Sequence, residues 1–188
     1  PAEFYDLYSK MEMPEPKLRD PDVEYHPWIQ LGQSQRNFDD FVTEDSLPVL
    51  MRSYYGSISY LDRNIGRVVK ALEETGLRDN TIIIYTSDHG ENLGTRRLWQ
   101  KSNMYEEASF IPMILSGPGI PEGKISDTPV TLIDIAPTIL DSQGLLEVSK
   151  SNRLPGSSLL SLAQAENDVN RIAFTEYHAA AADRSAFM

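Results

Sequence analysis

Apolar side chains recur at Tyr54, Ile58, Leu61, Ile65, Val68 and Leu72 in alternating steps of four and three residues, which predicts one long amphipathic helix over about 48–75. Gly76 supplies its stop, and one face of the helix is expected to pack on a sheet. Ser46 and Pro48 fit its first turn, where both residue types are favoured. The pattern then changes. Ile82, Ile83, Ile84 and Tyr85 run without a polar interruption, and a continuous β-branched run suits a strand covered on both faces. Further strands are predicted at Ile111–Leu115, ended by Gly117-Pro118-Gly119, and at Ile172–Tyr177. Between them Asp134–Asp141 reads as a helix entered at Asp134, with Pro137 in its first turn and Gly144 beyond its end. Strands alternating with helices predict an α/β fold, a sheet layered by helices. Residues 1–45 follow neither period. Met13-Pro-Glu-Pro16 and Asp20-Pro-Asp22 break them up, so they read as an irregular lid or connecting segment ahead of a domain over 46–188.

Candidate chemistry begins where the first strand stops, at Asp88. Neighbouring residues of a strand point to opposite faces, so Asp88 and His89 can serve one site only if the strand ends there and Gly90 lets the backbone turn. A carboxylate beside an imidazole suits a divalent cation. Taken alone, the triplet also fits a turn with a capping aspartate, and the nearby Lys101 fits a solvated surface lysine.

The spacing of the whole segment adds more. Ser87-Asp88-His89-Gly90-Glu91-x-Leu93-Gly94, followed by Leu98-Trp99-x-Lys101-x-x-x-Tyr105-Glu106-Glu107 and Ile111-Pro112-Met113-Ile114, resembles the sulfatase family of the alkaline phosphatase superfamily. Within it, the chain is most similar to the choline-sulfatase-like and arylsulfatase-like members. Flanking pieces agree: the helix around Gly56–Gly76, Asp134-Ile-Ala-Pro137-Thr-Ile-Leu140, and the tail from Thr175-Glu-Tyr-His178 onward.

The resemblance implies an alkaline-phosphatase-like sheet, incomplete in this chain. It implies Asp88 and His89 as metal ligands and Lys101 as the catalytic cation holding a sulfate or leaving-group oxygen, with Arg97 and His178 as candidate substrate contacts. The oxygen ligand suits Ca²⁺, and the imidazole leaves Mn²⁺ open. Members of the family use a formylglycine made from Cys or Ser in a motif that ends in Arg two residues after Pro. This chain has no cysteine, and its nearest match, Ser46-Leu47-Pro48-Val49-Leu50, ends in Leu. The formylglycine nucleophile and an early acidic ligand pair are therefore expected upstream of Pro1. The 188 residues alone are expected to be inactive and to bind metal weakly.

Charge and composition narrow the partners. A formal charge of −11, with 17 basic against 28 acidic residues, disfavours nucleic acid, whose recognition is led by clustered Lys and Arg. It does not exclude an anionic substrate, because a bound cation with Lys101, Arg96 and Arg97 makes a locally positive pocket in an acidic protein. The expected substrate is a small-molecule or carbohydrate sulfate ester. No apolar run reaches membrane-spanning length. Localisation stays open between cytoplasm and periplasm, and no oligomeric state is legible. Two other readings stand beside the sulfatase: a phosphonate monoester or phosphodiester hydrolase of the same superfamily, and a non-catalytic homologue.

Overall fold

The structure, a computed structural model, describes residues 1–17, 22–35, 42–178 and 185–187. It divides into two compact units: Pro1–Gly76 with Glu91–Asn103, and Leu77–Gly90 with Met104–Met188.

The first unit is built on the long helix the periodicity predicts, with two more where the sequence reads as irregular. Its helices are α1 (Ala2–Asp6), α2 (Pro27–Gln35) and α3 (Ser46–Glu74). Ser46 and Pro48 fall in the first turn of α3, and Gly76 follows its end at φ +69°. α1 lies against α3 because Gly56 has no side chain: a Cβ there would sit 3.1 Å from the Phe4 carbonyl and the Tyr5 nitrogen. Around that contact Phe4 meets Tyr60 edge-on, Tyr8 meets Tyr55 the same way, and the Tyr8 hydroxyl bonds Ser59 Oγ at 2.6 Å. Arg63 stacks on the Phe4 ring and reaches Glu3 at 2.9 Å. The face that periodicity marks for burial is a different one. Tyr54, Ile58, Leu61 and Val68 remain 37–63% exposed, while α1 packs on the stripe through Tyr55, Gly56, Ser59 and Tyr60.

The second unit is mixed α/β. β1 (Ile83–Thr86) pairs antiparallel with β2 (Met113–Ser116), Ile83 opposite Ser116 and Thr86 opposite Met113. β3 (Glu176–His178) pairs with β4 (Ser185–Phe187). The apolar run predicts a strand covered on both faces, yet every residue of β1 is only half-buried: β2 is its one partner among the described residues. Helices α4 (Glu106–Ser109), α5 (Ile135–Ser142), α6 (Leu146–Ser151) and α7 (Leu159–Gln164) complete the unit.

Its centre is polar. Thr131 caps a 3-10 turn that leads into α5, and Asp134 returns a bond to the Thr131 N–H at 2.9 Å, a reciprocal capping box. The same carboxylate, fully buried, accepts the Ser157 N–H at 2.8 Å and the Arg171 guanidinium at 2.6 Å. Thr138 accepts the Leu159 N–H at 2.7 Å, and Ser158 caps α7 while donating to Asp141. One buried acid thus ties α5 to the chain on both sides of α7. No helix among the described residues is long and apolar enough to cross a membrane.

Candidate active site

The sequence places the candidate metal ligands just past β1, and local hydrogen bonds turn the chain there. Ser87 Oγ donates to the His89 carbonyl at 2.7 Å, folding Asp88 and His89 toward each other. The Gly90 N–H donates to the Ala108 carbonyl at 2.8 Å, so α4 anchors the turn. Gly90 is required for closeness rather than for a left-handed turn. A Cβ at Gly90 would lie 2.1 Å from the Glu107 carbonyl oxygen, and its φ is not in the left-handed region.

The two candidate ligands converge. His89 Nε2 stands 3.5 Å from Asp88 Oδ2, while His89 Nδ1 lies 2.8 Å from the Gly90 carbonyl. A carbonyl only accepts, so Nδ1 carries a hydrogen, and Nε2 is the ring nitrogen turned toward the carboxylate. A proton on Nε2 or a cation between the two groups accounts for so close an approach. Ligands at right angles on a cation with bonds of 2.3–2.6 Å stand about 3.3–3.7 Å apart, the separation found here. The Asp88 side chain is 82% exposed and that of His89 37%, leaving the remaining coordination positions open to other donors. The residues fit a divalent cation. No group of three or more His, Asp or Glu side chains able to hold an ion occurs among the described residues.

Lys101 and Arg97 belong to the first unit, on the segment Glu91–Asn103. That segment is conformationally costly. Leu93, Arg96, Arg97, Gln100 and Ser102 all have φ between +46° and +85°. A non-glycine residue in this region costs on the order of 1–3 kcal/mol, persists only where its surroundings over-determine it, and gathers at functional sites. The determining contacts are visible. The Arg96 N–H donates to the Lys17 carbonyl at 2.7 Å, Gln33 donates to the Arg96 carbonyl at 2.8 Å, and Trp28 Nε1 donates to the Ser102 carbonyl at 2.9 Å. Gly94 at φ +88° lies against Pro16 and Trp99. Lys101 and Arg97 are both exposed on this frame. His178 contributes its backbone to β3, and its side chain lies outside the described residues.

A family model, Sulfatase, matches residues 15–145. The chain belongs to the sulfatase family. A choline-sulfatase of Rhizobium meliloti (strain 1021) is 35% identical over 172 residues, covering 89% of this chain and 32% of that protein. Arylsulfatase K of Danio rerio is 32% identical over 184 residues, covering 96% and 34% respectively. This sulfatase chain therefore spans about a third of the length of the curated relatives it matches. Among solved structures, a phosphonate monoester hydrolase from Silicibacter pomeroyi superposes with a TM-score of 0.77 at 30% identity, over 94% of this chain and 37% of that one. A second, solved in complex with its substrate D-glucosamine-2-N,6-O-disulfate, gives 0.66 at 31% identity, over 79% and 31%. These likenesses bear out the alkaline-phosphatase-like α/β fold.

Sequence reasoning missed the residues that frame the sulfatase segment. Glu91 Oε1 accepts the Leu93 N–H at 3.1 Å and also the Gln100 N–H. Asn92, 1% exposed, donates to the Gln100 carbonyl from its backbone at 2.9 Å and again from its side chain. Only the polar pair immediately after Gly90 hints at this, and nothing in the sequence says that its partner is Gln100.

Proposed function

We propose that the full-length protein hydrolyses sulfate esters of a small-molecule or carbohydrate alcohol, with Asp88 and His89 holding a divalent cation and Lys101 engaging the anionic group. The observation that carries this reading is the 3.5 Å approach of a carboxylate and an imidazole whose other nitrogen is turned to a backbone carbonyl, just beyond a strand, in a chain of the sulfatase family. Bound there, Ca²⁺ or Mn²⁺ supplies a Lewis acid that offsets the charge on the ester oxygens.

The remaining roles belong to the chain. Asp88 contributes the negative charge that draws the cation. His89 offers Nε2 in one orientation, because Gly90 holds its other nitrogen. Lys101 supplies a compact positive charge to a sulfate or leaving-group oxygen. Arg97 and His178 are assigned to the substrate on the same reading. The nucleophile, a formylglycine, comes in this proposal from outside these 188 residues. Relatives named choline-sulfatase and arylsulfatase support the sulfate ester, and the neighbour bound to a sulfated glucosamine supports a sugar as one possible alcohol.

The phosphonate monoester hydrolase likeness favours a second reading, since a phosphonate also needs its tetrahedral anion neutralised. Turnover of an aryl sulfate and an aryl phosphonate by the purified full-length protein separates the two. The proposal expects the sulfate to have the larger kcat/KM and Lys101→Ala to lower it at least 100-fold. A phosphonate preference overturns the first reading in favour of the second, and turnover of neither overturns both.

A further inference from the structure

We infer that Glu91 and Asn92 are positioning residues for Lys101, fixing the peptide that presents its ammonium; this rests on the reading of Lys101 given above. Gln100, immediately before Lys101, is held at both of its backbone polar groups. Its N–H is taken by the Glu91 carboxylate, and its carbonyl accepts two donors from Asn92. Ser102, immediately after Lys101, is held through its carbonyl by Trp28 at 2.9 Å. The residues on either side of Lys101 therefore keep φ values of +62° and +85°, which an unrestrained chain would abandon. Lys101 has a flexible stem, and the direction in which that stem leaves the chain is set by this backbone.

Asn92 is arranged for the purpose. Its Nδ2 must face the Gln100 carbonyl, and its Oδ1 is consequently buried without a hydrogen-bond partner. Such an orphaned acceptor is costly, and the bonds to Gln100 are what it maintains. An aspartate of the same shape would set an acceptor against that carbonyl.

The test is a double-mutant cycle in the full-length protein, read as kcat on an aryl sulfate. Glu91→Ala is expected to lower kcat at least tenfold with KM within threefold, and Glu91→Gln, which keeps a carbonyl oxygen for both N–H groups, to restore most of it. In a Lys101→Ala background Glu91→Ala is expected to cost less than twofold, because its effect passes through the missing lysine. Should Glu91→Ala fail to fold, the isosteric Asn92→Asp takes its place in the same cycle with the same expectation. If Lys101→Ala leaves kcat unchanged, the reading of Lys101 falls and this inference with it. If Lys101→Ala is impaired but the two substitutions multiply in full, the inference alone is overturned. A Glu91→Gln variant as poor as Glu91→Ala overturns it as well.

Discussion

Gly90→Ala puts one methyl group where the structure has no room. The new Cβ lands 2.1 Å from the Glu107 carbonyl oxygen and 3.0 Å from its carbon, both backbone atoms that no side-chain rotation can clear. Reaching an ordinary 3.4 Å contact demands a backbone shift of roughly 1.3 Å (3.4 less 2.1), and close-packed surroundings resist such a shift. That shift breaks the 2.8 Å bond from the Gly90 N–H to Ala108. A lost hydrogen bond costs about 0.5–1.5 kcal/mol and overpacking about 1–3 kcal/mol, so the total is about 2–4 kcal/mol. Thermal unfolding of the full-length protein reads this as a fall in Tm of a few degrees, because the shift per kcal/mol drops below about 2–4 °C as a protein grows past 150–250 residues. The Gly90 carbonyl also orients His89, so divalent-metal affinity should weaken in the same variant. A Tm within 1 °C of wild type, with metal affinity intact, would refute the close-approach argument.

Other substitutions probe the frame. Arg171→Ala strips the fully buried Asp134 of its charged partner at 2.6 Å and should cost about 3–5 kcal/mol, seen as a lower urea midpoint; an unchanged midpoint contradicts the assignment of Asp134 as the organiser of the second unit. Gly56→Ala pushes a methyl to 3.1 Å from the backbone of α1 and should loosen that helix, raising hydrogen exchange at Phe4 and Tyr8 while the centre of α3 stays protected. Ser46→Ala should leave aryl sulfate turnover within twofold of wild type, because this hydroxyl accepts the Thr43 N–H at the start of α3; a 100-fold loss would make Ser46 a candidate nucleophile after all.

The extent to which the sequence foretold this arrangement varies with the range of the interactions. Local signals carried well. The four-and-three repeat located α3, Asp134 marked the entry to α5, and the apolar run located β1 and its end before Asp88. Non-local choices were not legible. Periodicity marked Tyr54, Ile58, Leu61 and Val68 for burial, but a single missing side chain at Gly56 decides which face α1 takes. Pro-rich punctuation hid α1 and α2, since breakers flank both helices without interrupting α1 and Pro27 sits in the first turn of α2. At the site, the approach of Asp88 and His89 follows from one serine and one carbonyl close in sequence, while it was the family resemblance, and not the triplet alone, that paired them as ligands. The clamp on Gln100 joins residues nine and eight positions apart through backbone groups, and backbone partners leave no trace in side-chain identity.

Calorimetric titration of Ca²⁺ and Mn²⁺ into the full-length protein, its Asp88→Ala variant and its His89→Ala variant tests the central claim most directly. One tight stoichiometric site in the wild type, weakened at least tenfold by either substitution, is the expected result. Equal affinity in all three proteins would show that these two side chains do not share a cation.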